Sequence, residues 1–552
     1  MATKLLSFVV VLLVSISQTE SDSTANLVES ACELAVDRKY CQSVLYKNPQ
    51  SLLAGPQNIT QIAFQMSIGE TQMVSSFILT QLMNADQSQA VDDCRKLNDL
   101  TMDYLTKALS ILTESYLDWI KATDIQSYLS AALTNQVTCL DGLTEANLNL
   151  CLVSFTDYIS RASQSVSNCL ALINKFWIEE MDFQQSSVRN RRLLSHAHHV
   201  GRVDHDLLPF DGGFPSWMSR GDRRLLMQTA KGVKLTGNVV TVAKDGSGDY
   251  TNITAAINAA ADMSENRLVI YVTAGVYKEC VNVPLNKDNI MLIGDGIDAT
   301  VITGSKSVSD GWTTFSSATL ATFGKGFIAR DLTIENRAGP GKQQAVALLV
   351  ASDLSAFYRC SIKGYQDTLY AHSLRQFYRE CNVYGTIDFI FGNAAVIFQQ
   401  CNLVARRPLD HQQNVYIAQG RTDPNQNTGT SIHNCKVIAA TDLVPFIDSI
   451  PTYLGRPWKE YSRTVYLESY IGSLIQPVGW LEWSGSFALS TLYYGEYNNQ
   501  GPGADTSQRV TWPGYHLMKL SDAQKFTITS FLSGSSWLPT TSVPYWGSLL
   551  SK

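Results

Sequence analysis

The sequence has no surplus of positive charge, almost no long apolar stretch and none of the cysteine spacings that metals favour. Its 552 residues hold 43 Lys and Arg against 49 Asp and Glu, a net charge of −6, which argues against a general nucleic-acid binder. Leu5–Ile16 (LLSFVVVLLVSI) is the one sustained apolar run, and it falls short of the ~20 residues a helix needs to span a bilayer. A polytopic membrane protein is thereby excluded. The 11 cysteines (32, 41, 94, 139, 151, 169, 280, 360, 381, 401 and 435) contain no C-x-x-C pair, so the common zinc frameworks are missing. No Gly-x-Ser-x-Gly elbow supports a serine-hydrolase route. Gly246-Ser-Gly248 lacks the ending of a phosphate-binding loop and reads as a tight turn. His196, His198, His199 and His205 have no Cys or carboxylate cluster to complete a metal site, and no cofactor is expected.

What is present points to a secreted chain of two domains, since this length exceeds one ordinary core. Lys4 precedes the apolar run and polar residues follow it, the pattern of a signal peptide over residues 1–22. Many cysteines, and the sequons Asn58-Ile-Thr60 and Asn252-Ile-Thr254, fit an oxidising, extracellular route. Residues 1–226 carry 17 basic and 24 acidic side chains, net −7; residues 227–552 carry 26 and 25, net +1. At the junction, a linker over 181–226 repeats one tetrapeptide, Arg191-Arg192-Leu193-Leu194 and Arg223-Arg224-Leu225-Leu226. Dibasic pairs in a polar, Gly-rich segment are expected to be processing sites.

Residues 25–180 read as an antiparallel helix bundle: Leu97, Leu100, Leu105, Leu109, Leu112 and Ile120 recur at three-to-four spacing, with few Gly or Pro to interrupt. From 227 to 552 the grammar is that of strands, in β-branched runs such as VVTVA, RLVIYV, IMLIG, FIARDLTI and AVIFQQCNLV. An internal repeat runs through them: Phe357-Tyr-Arg-Cys360, Phe377-Tyr-Arg-Glu-Cys381 and Phe398-Gln-Gln-Cys401. The cysteines stand 21 and 20 residues apart, one coil of a parallel β-solenoid. Equal phase then stacks residues about 4.8 Å apart. Asp367 and Asp388 each follow a repeat cysteine by seven residues, so their carboxylates are expected to face each other on neighbouring coils. Two acids that close do not both ionise readily, which suits a general acid beside a nucleophile or base. Cys381 and Cys401 stack within disulfide reach, with Cys360 in the same column, where at most two of the three can pair.

Five motifs carry a resemblance. Gly275-Val-Tyr-Lys-Glu279, Gln344-Ala-Val-Ala-Leu348, Gly364-Tyr-Gln-Asp-Thr-Leu-Tyr370, Asp388-Phe-Ile-Phe-Gly-Asn393 and Leu454-Gly-Arg-Pro-Trp458 are similar to the signature blocks of plant pectin methylesterases, in order. Residues 25–180 resemble the pectin methylesterase inhibitor domain, which implies the disulfides Cys32–Cys41 and Cys94–Cys139 and leaves Cys151 and Cys169 to bridge or stay free. The resemblance implies a right-handed parallel β-helix and hydrolysis of homogalacturonan methyl esters. It makes Asp388 the nucleophile, Asp367 the proton donor and acceptor, and Gln344 and Gln366 the oxyanion stabilisers, with Arg456, Trp458 and Thr314 on the substrate. It further implies a cell-wall location, a subtilisin-like processing protease and proteinaceous inhibitors as partners, and a mature monomer. A two-carboxylate glycoside hydrolase and a non-catalytic pectin-binding or inhibitor protein are the competing readings.

Overall fold

The computed structural model describes residues 27–48, 55–83, 88–146, 149–181 and 239–550. The expected signal peptide and both RRLL sequences lie outside the described residues. The chain divides into two compact units, a helical one within residues 1–201 and a second that takes up nearly all of residues 202–552.

The helical unit contains α1 (Arg38–Tyr46), α2 (Pro56–Phe77), α3 (Gln89–Leu112), α4 (Trp119–Glu145) and α5 (Asn149–Ile173). Asp37 and Asp118 start α1 and α4 by accepting the backbone N–H of Tyr40 and Lys121, each at 2.9 Å, which satisfies donors that a helix start leaves open. Leu97, Leu100, Leu105 and Leu112 are buried. Ile120, which the sequence pattern assigns to the same face, is 46% exposed, because the chain turns after α3 and restarts the helical phase at α4. Disulfides join Cys32 to Cys41 and Cys94 to Cys139, the second tying α3 to α4. Cys169 is a buried free thiol whose ionisation burial opposes. Asn58 lies exposed in the first turn of α2.

The second unit is a parallel β-helix. Among its described residues every strand pairing is parallel, and the strands form three sheets of 11, 8 and 7. One coil takes a strand from each in turn, as in Ser355–Tyr358, Ser361–Lys363 and Leu369–Ala371; the next takes Arg375–Arg379, Asn382–Gly385 and Ile390–Gly392. The corner between the first two strands carries a left-handed residue in coil after coil: Asp331, Arg359, Glu380, Gln400, Asn434, Glu468 and Asn498, with φ between +49° and +56°. FIARDLTI and AVIFQQCNLV, single runs to the eye, each bend at this corner, at Asp331 and Gln400. Inside, apolar side chains of equal phase stack; the rings of Phe357, Tyr378 and Phe398 lie 4.7 and 4.6 Å apart. Such burial is worth ~1.5–3 kcal/mol per large side chain.

The cysteine column is present but unpaired. Cys360, Cys381, Cys401 and Cys435 are buried free thiols, so the expected Cys381–Cys401 disulfide is not formed. Side chains of equal phase on parallel strands point the same way, leaving Cβ atoms near the ~4.8 Å strand spacing, wider than the ~3.5–4.5 Å a disulfide takes. Three of the four sulfurs instead accept a backbone N–H from the preceding coil, Cys381 from Cys360 and Cys401 from Cys381 at 3.4 Å and Cys435 from Cys401 at 3.3 Å, while the Cys360 thiol donates to the Tyr358 carbonyl at 3.6 Å.

Candidate active site

Five neighbouring strands of the third sheet frame the site: β1 (Leu348–Val350), β2 (Leu369–Ala371), β3 (Ile390–Gly392), β4 (Asn414–Gln419) and β5 (Thr452–Pro457). Leu369 pairs with Ile390, so the residues two places earlier, Asp367 and Asp388, share one phase on adjacent coils. Their turns are hydrogen-bonded to each other, Asp367 N–H to the Ile387 carbonyl at 3.1 Å and Leu369 N–H to the Phe389 carbonyl at 2.8 Å. Both aspartates have left-handed backbone, φ +58° and +50°. That conformation costs of order 1 kcal/mol in a side-chain-bearing residue and persists where the surroundings enforce it. Gly364 and Gly385, also one coil apart, let the turns close: a Cβ on Gly385 would lie 2.1 Å from the Phe389 Cβ.

Asp388 is 6% exposed and is held in a fork by Arg456 of β5, Nε to Oδ1 at 2.8 Å and Nη2 to Oδ2 at 2.5 Å. Burial pushes the Asp388 carboxyl up, and the hydrogen bonds and charge of Arg456 draw it only part of the way back. Arg456 itself, despite burial, is held more firmly protonated by Asp388, with Asp367 adding to the field. The pair is therefore a desolvated carboxylate anchored by a fixed cation, an arrangement that leaves a lone pair free for attack.

Register extends the site. Tyr370, Phe391, Ala418 and Arg456 occupy paired positions on β2 to β5. Tyr370 and Phe391 stack at 4.1 Å, and Trp458 meets them edge-on at 6.5 and 5.9 Å, giving an aromatic wall suited to a sugar ring. Gln366 precedes Asp367 and is half-buried; its carbonyl accepts the Ala345 N–H at 3.3 Å, which brings the turn of Gln344 alongside. Gln343, with φ +59° and ψ −143°, tips the chain just before Gln344. Thr314 heads a short turn at 315–317, and the Ser317 hydroxyl accepts the Val346 N–H at 3.1 Å, so Thr314 stands two coils before Asp367 in the same row of corners. Trp483, not singled out in the sequence, covers the guanidinium of Arg456 at 4.4 Å from its ring centroid and is 37% exposed. Its signal is the aromatic pair Trp480-Leu-Glu-Trp483 in a stretch without strand alternation.

Among the described residues no group of three or more His, Cys, Asp or Glu side chains could hold a metal ion, and no helix is long and apolar enough to cross a membrane. Asn252 is exposed, and its Oδ1 caps the short helix Ile253–Asn258 through the Ala255 N–H at 2.8 Å.

Residues 239–535 match the family model Pectinesterase, and residues 26–172 match Plant invertase/pectin methylesterase inhibitor. The chain is 44% identical to Probable pectinesterase/pectinesterase inhibitor 41 of Arabidopsis thaliana, over 96% of this chain and 95% of that protein. It is 50% identical to Pectinesterase 2.1 of Solanum lycopersicum, over 85% and 80%. Among solved structures, the pectin methylesterase from carrot superposes with a TM-score of 0.57 at 56% identity, over 57% of this chain and all of that one.

Proposed function

This chain belongs to the pectinesterase family and is a carboxylic ester hydrolase acting on methyl-esterified homogalacturonan, and from that membership we propose how its residues divide the reaction. The Asp388 carboxylate attacks the C6 carbonyl carbon of a methyl galacturonate, and the carbonyl electrons move onto oxygen. The side-chain amides of Gln344 and Gln366 donate to that oxyanion, neutral donors that leave the charge of Asp388 unquenched. Collapse of the tetrahedral species breaks the C–O bond to methoxide, which takes its proton from Asp367 and leaves as methanol. Asp367, now ionised, accepts a proton from water as the water attacks the acyl-enzyme, and Asp388 departs as carboxylate, leaving a free galacturonate acid.

The observation that supports this division is the fork from Arg456 to Asp388 beside Asp367 on the adjacent coil. The fork keeps one of two close acids anionic, so the other is the one that holds a proton. Trp458, Tyr370 and Phe391 form the wall against which the sugar lies, and Thr314 contacts the polymer farther along. Asp388→Asn and Asp367→Asn are expected to lose methanol release by about 10²-fold or more. Release by Asp388→Asn at the wild-type rate, or new reducing ends in place of methanol, would overturn the assignment.

The family sets the protein in an extracellular, cell-wall context and makes an inhibitor-like partner domain part of the chain. The finer scheme is ours: residues 1–22 direct secretion, residues 25–180 restrain the enzyme, a subtilisin-like protease cuts at Leu194 or Leu226, and residues 227–552 act as a monomer.

A further inference from the structure

We propose that Arg406 is a positioning residue for the turn that carries Gln366 and Asp367, an inference that rests on the roles given to those two residues above. Arg406 follows the strand Asn402–Ala405, two coils on from the turn after Ser361–Lys363. Its backbone N–H donates to the Gly385 carbonyl at 2.7 Å, on the intervening coil, the one that leads to Asp388. Its side chain reaches back over that coil. Nη1 donates to the Gly364 carbonyl at 2.9 Å, Nη2 donates to the Tyr365 hydroxyl at 2.6 Å, and the guanidinium lies 3.8 Å from the Tyr365 ring centroid. Asp442 stands 4.0 Å from its Nε.

Arg406 thereby links three consecutive coils: its side chain ties its own coil to the first, which carries Asp367, and its backbone N–H ties it to the second, which carries Asp388. Tyr365 is the coupling point: its carbonyl also accepts the Thr386 N–H at 2.9 Å and the Thr368 hydroxyl at 3.0 Å. The turn needs such fastening, because Asp367 holds a left-handed conformation that relaxes if its neighbours let go. The donors of Arg406 that make these bonds are spent inside the protein, which distinguishes it from a polymer-binding arginine. Its effect belongs on kcat through the placement of the acid, since a misplacement of about 1 Å costs up to ~10²-fold.

The test uses the full chain from a secreting host, with methanol release measured against pH and polymer concentration for Arg406→Gln, Arg406→Lys, Tyr365→Phe and Asp367→Asn. Arg406→Gln is expected to lower kcat about tenfold or more with KM within about threefold, and to move the alkaline limb of the kcat profile, which reports the acid. Arg406→Lys recovers only part of this, because an ammonium does not reproduce the planar fork. Tyr365→Phe, which deletes one hydroxyl and keeps the ring, lowers kcat in the same direction. If Arg406→Gln and Tyr365→Phe keep the wild-type kcat and pH profile, or change KM alone, the positioning role is overturned while an inactive Asp367→Asn leaves the site intact. If Asp367→Asn itself releases methanol at the wild-type rate, the underlying site assignment fails instead.

Discussion

At the scale of single residues the site is an exercise in keeping one carboxylate charged where charge is costly. Asp388 is buried enough that water alone would not hold it ionised at its ordinary value, and Arg456 offsets part of that cost. The sign of the pH dependence follows. In the nucleophilic role proposed for Asp388, a carboxyl that titrates above the usual range is protonated and inert on the acid side, so kcat is expected to rise as pH climbs through its raised value. Arg456→Gln removes the charge that restrains the rise, so the acid limb of methanol release is expected to move to higher pH, with a loss of about 10²-fold at the optimum. A profile that moves to lower pH, or not at all, would contradict the pairing. The cover that Trp483 lays over Arg456 was not legible in the sequence, because that tryptophan sits in a stretch with no repeat phase to place it.

At the scale of elements, much of the architecture was legible and the exceptions have physical causes. The offset of seven from cysteine to aspartate located both acids, because a solenoid converts sequence phase into spatial stacking, and the pairing of Leu369 with Ile390 bears out the phase. The same reasoning misjudged Cys381 and Cys401: stacking gives distance, while a disulfide also requires the two Cβ bonds to converge. Alkylation checks the column. In native protein the exposed thiol of Cys280 reacts first, and in denatured, unreduced protein Cys360, Cys381, Cys401 and Cys435 are all expected to label. Long runs concealed corners for a related reason. A left-handed residue bends the chain sharply without needing glycine or proline, so Asp331 and Gln400 left no punctuation to read. The turns that carry Asp367 and Asp388 do depend on glycine. Gly385→Ala would set a Cβ 2.1 Å from the Phe389 Cβ and 2.8 Å from the Thr368 hydroxyl, so a loss of about 2–3 kcal/mol in urea unfolding is expected, with a fall in kcat as the two turns part.

At the scale of the whole molecule, the proposed processing splits the net charge of −6 unevenly: the acidic residues 1–226 at −7 are joined to residues 227–552 at +1. Removing the former would leave a catalytic unit with less repulsion toward an acidic polymer. Sequencing the N-terminus of secreted, active material is expected to find a start just after Leu226, or after Leu194 if the first site is used. A start near Ser23 on fully active protein would show that the helical unit does not restrain the enzyme.

The column of left-handed corners at Asp331, Arg359, Glu380, Gln400, Asn434, Glu468 and Asn498 also sets what lengths of insertion the coil tolerates. Between that corner and the strands beside it the chain counts in single residues, and one extra residue would send every following side chain to the opposite face of its sheet. The corner that leads into the third sheet obeys no such count. It spans a few residues at Asp367 and Asp388 but stretches to 406–413 and 440–451 on the coils that follow. Length changes are therefore absorbed on the side that carries Asp367 and Asp388 and refused on the opposite corner, so this fold can vary the contour around the candidate site while its internal stacks stay in step.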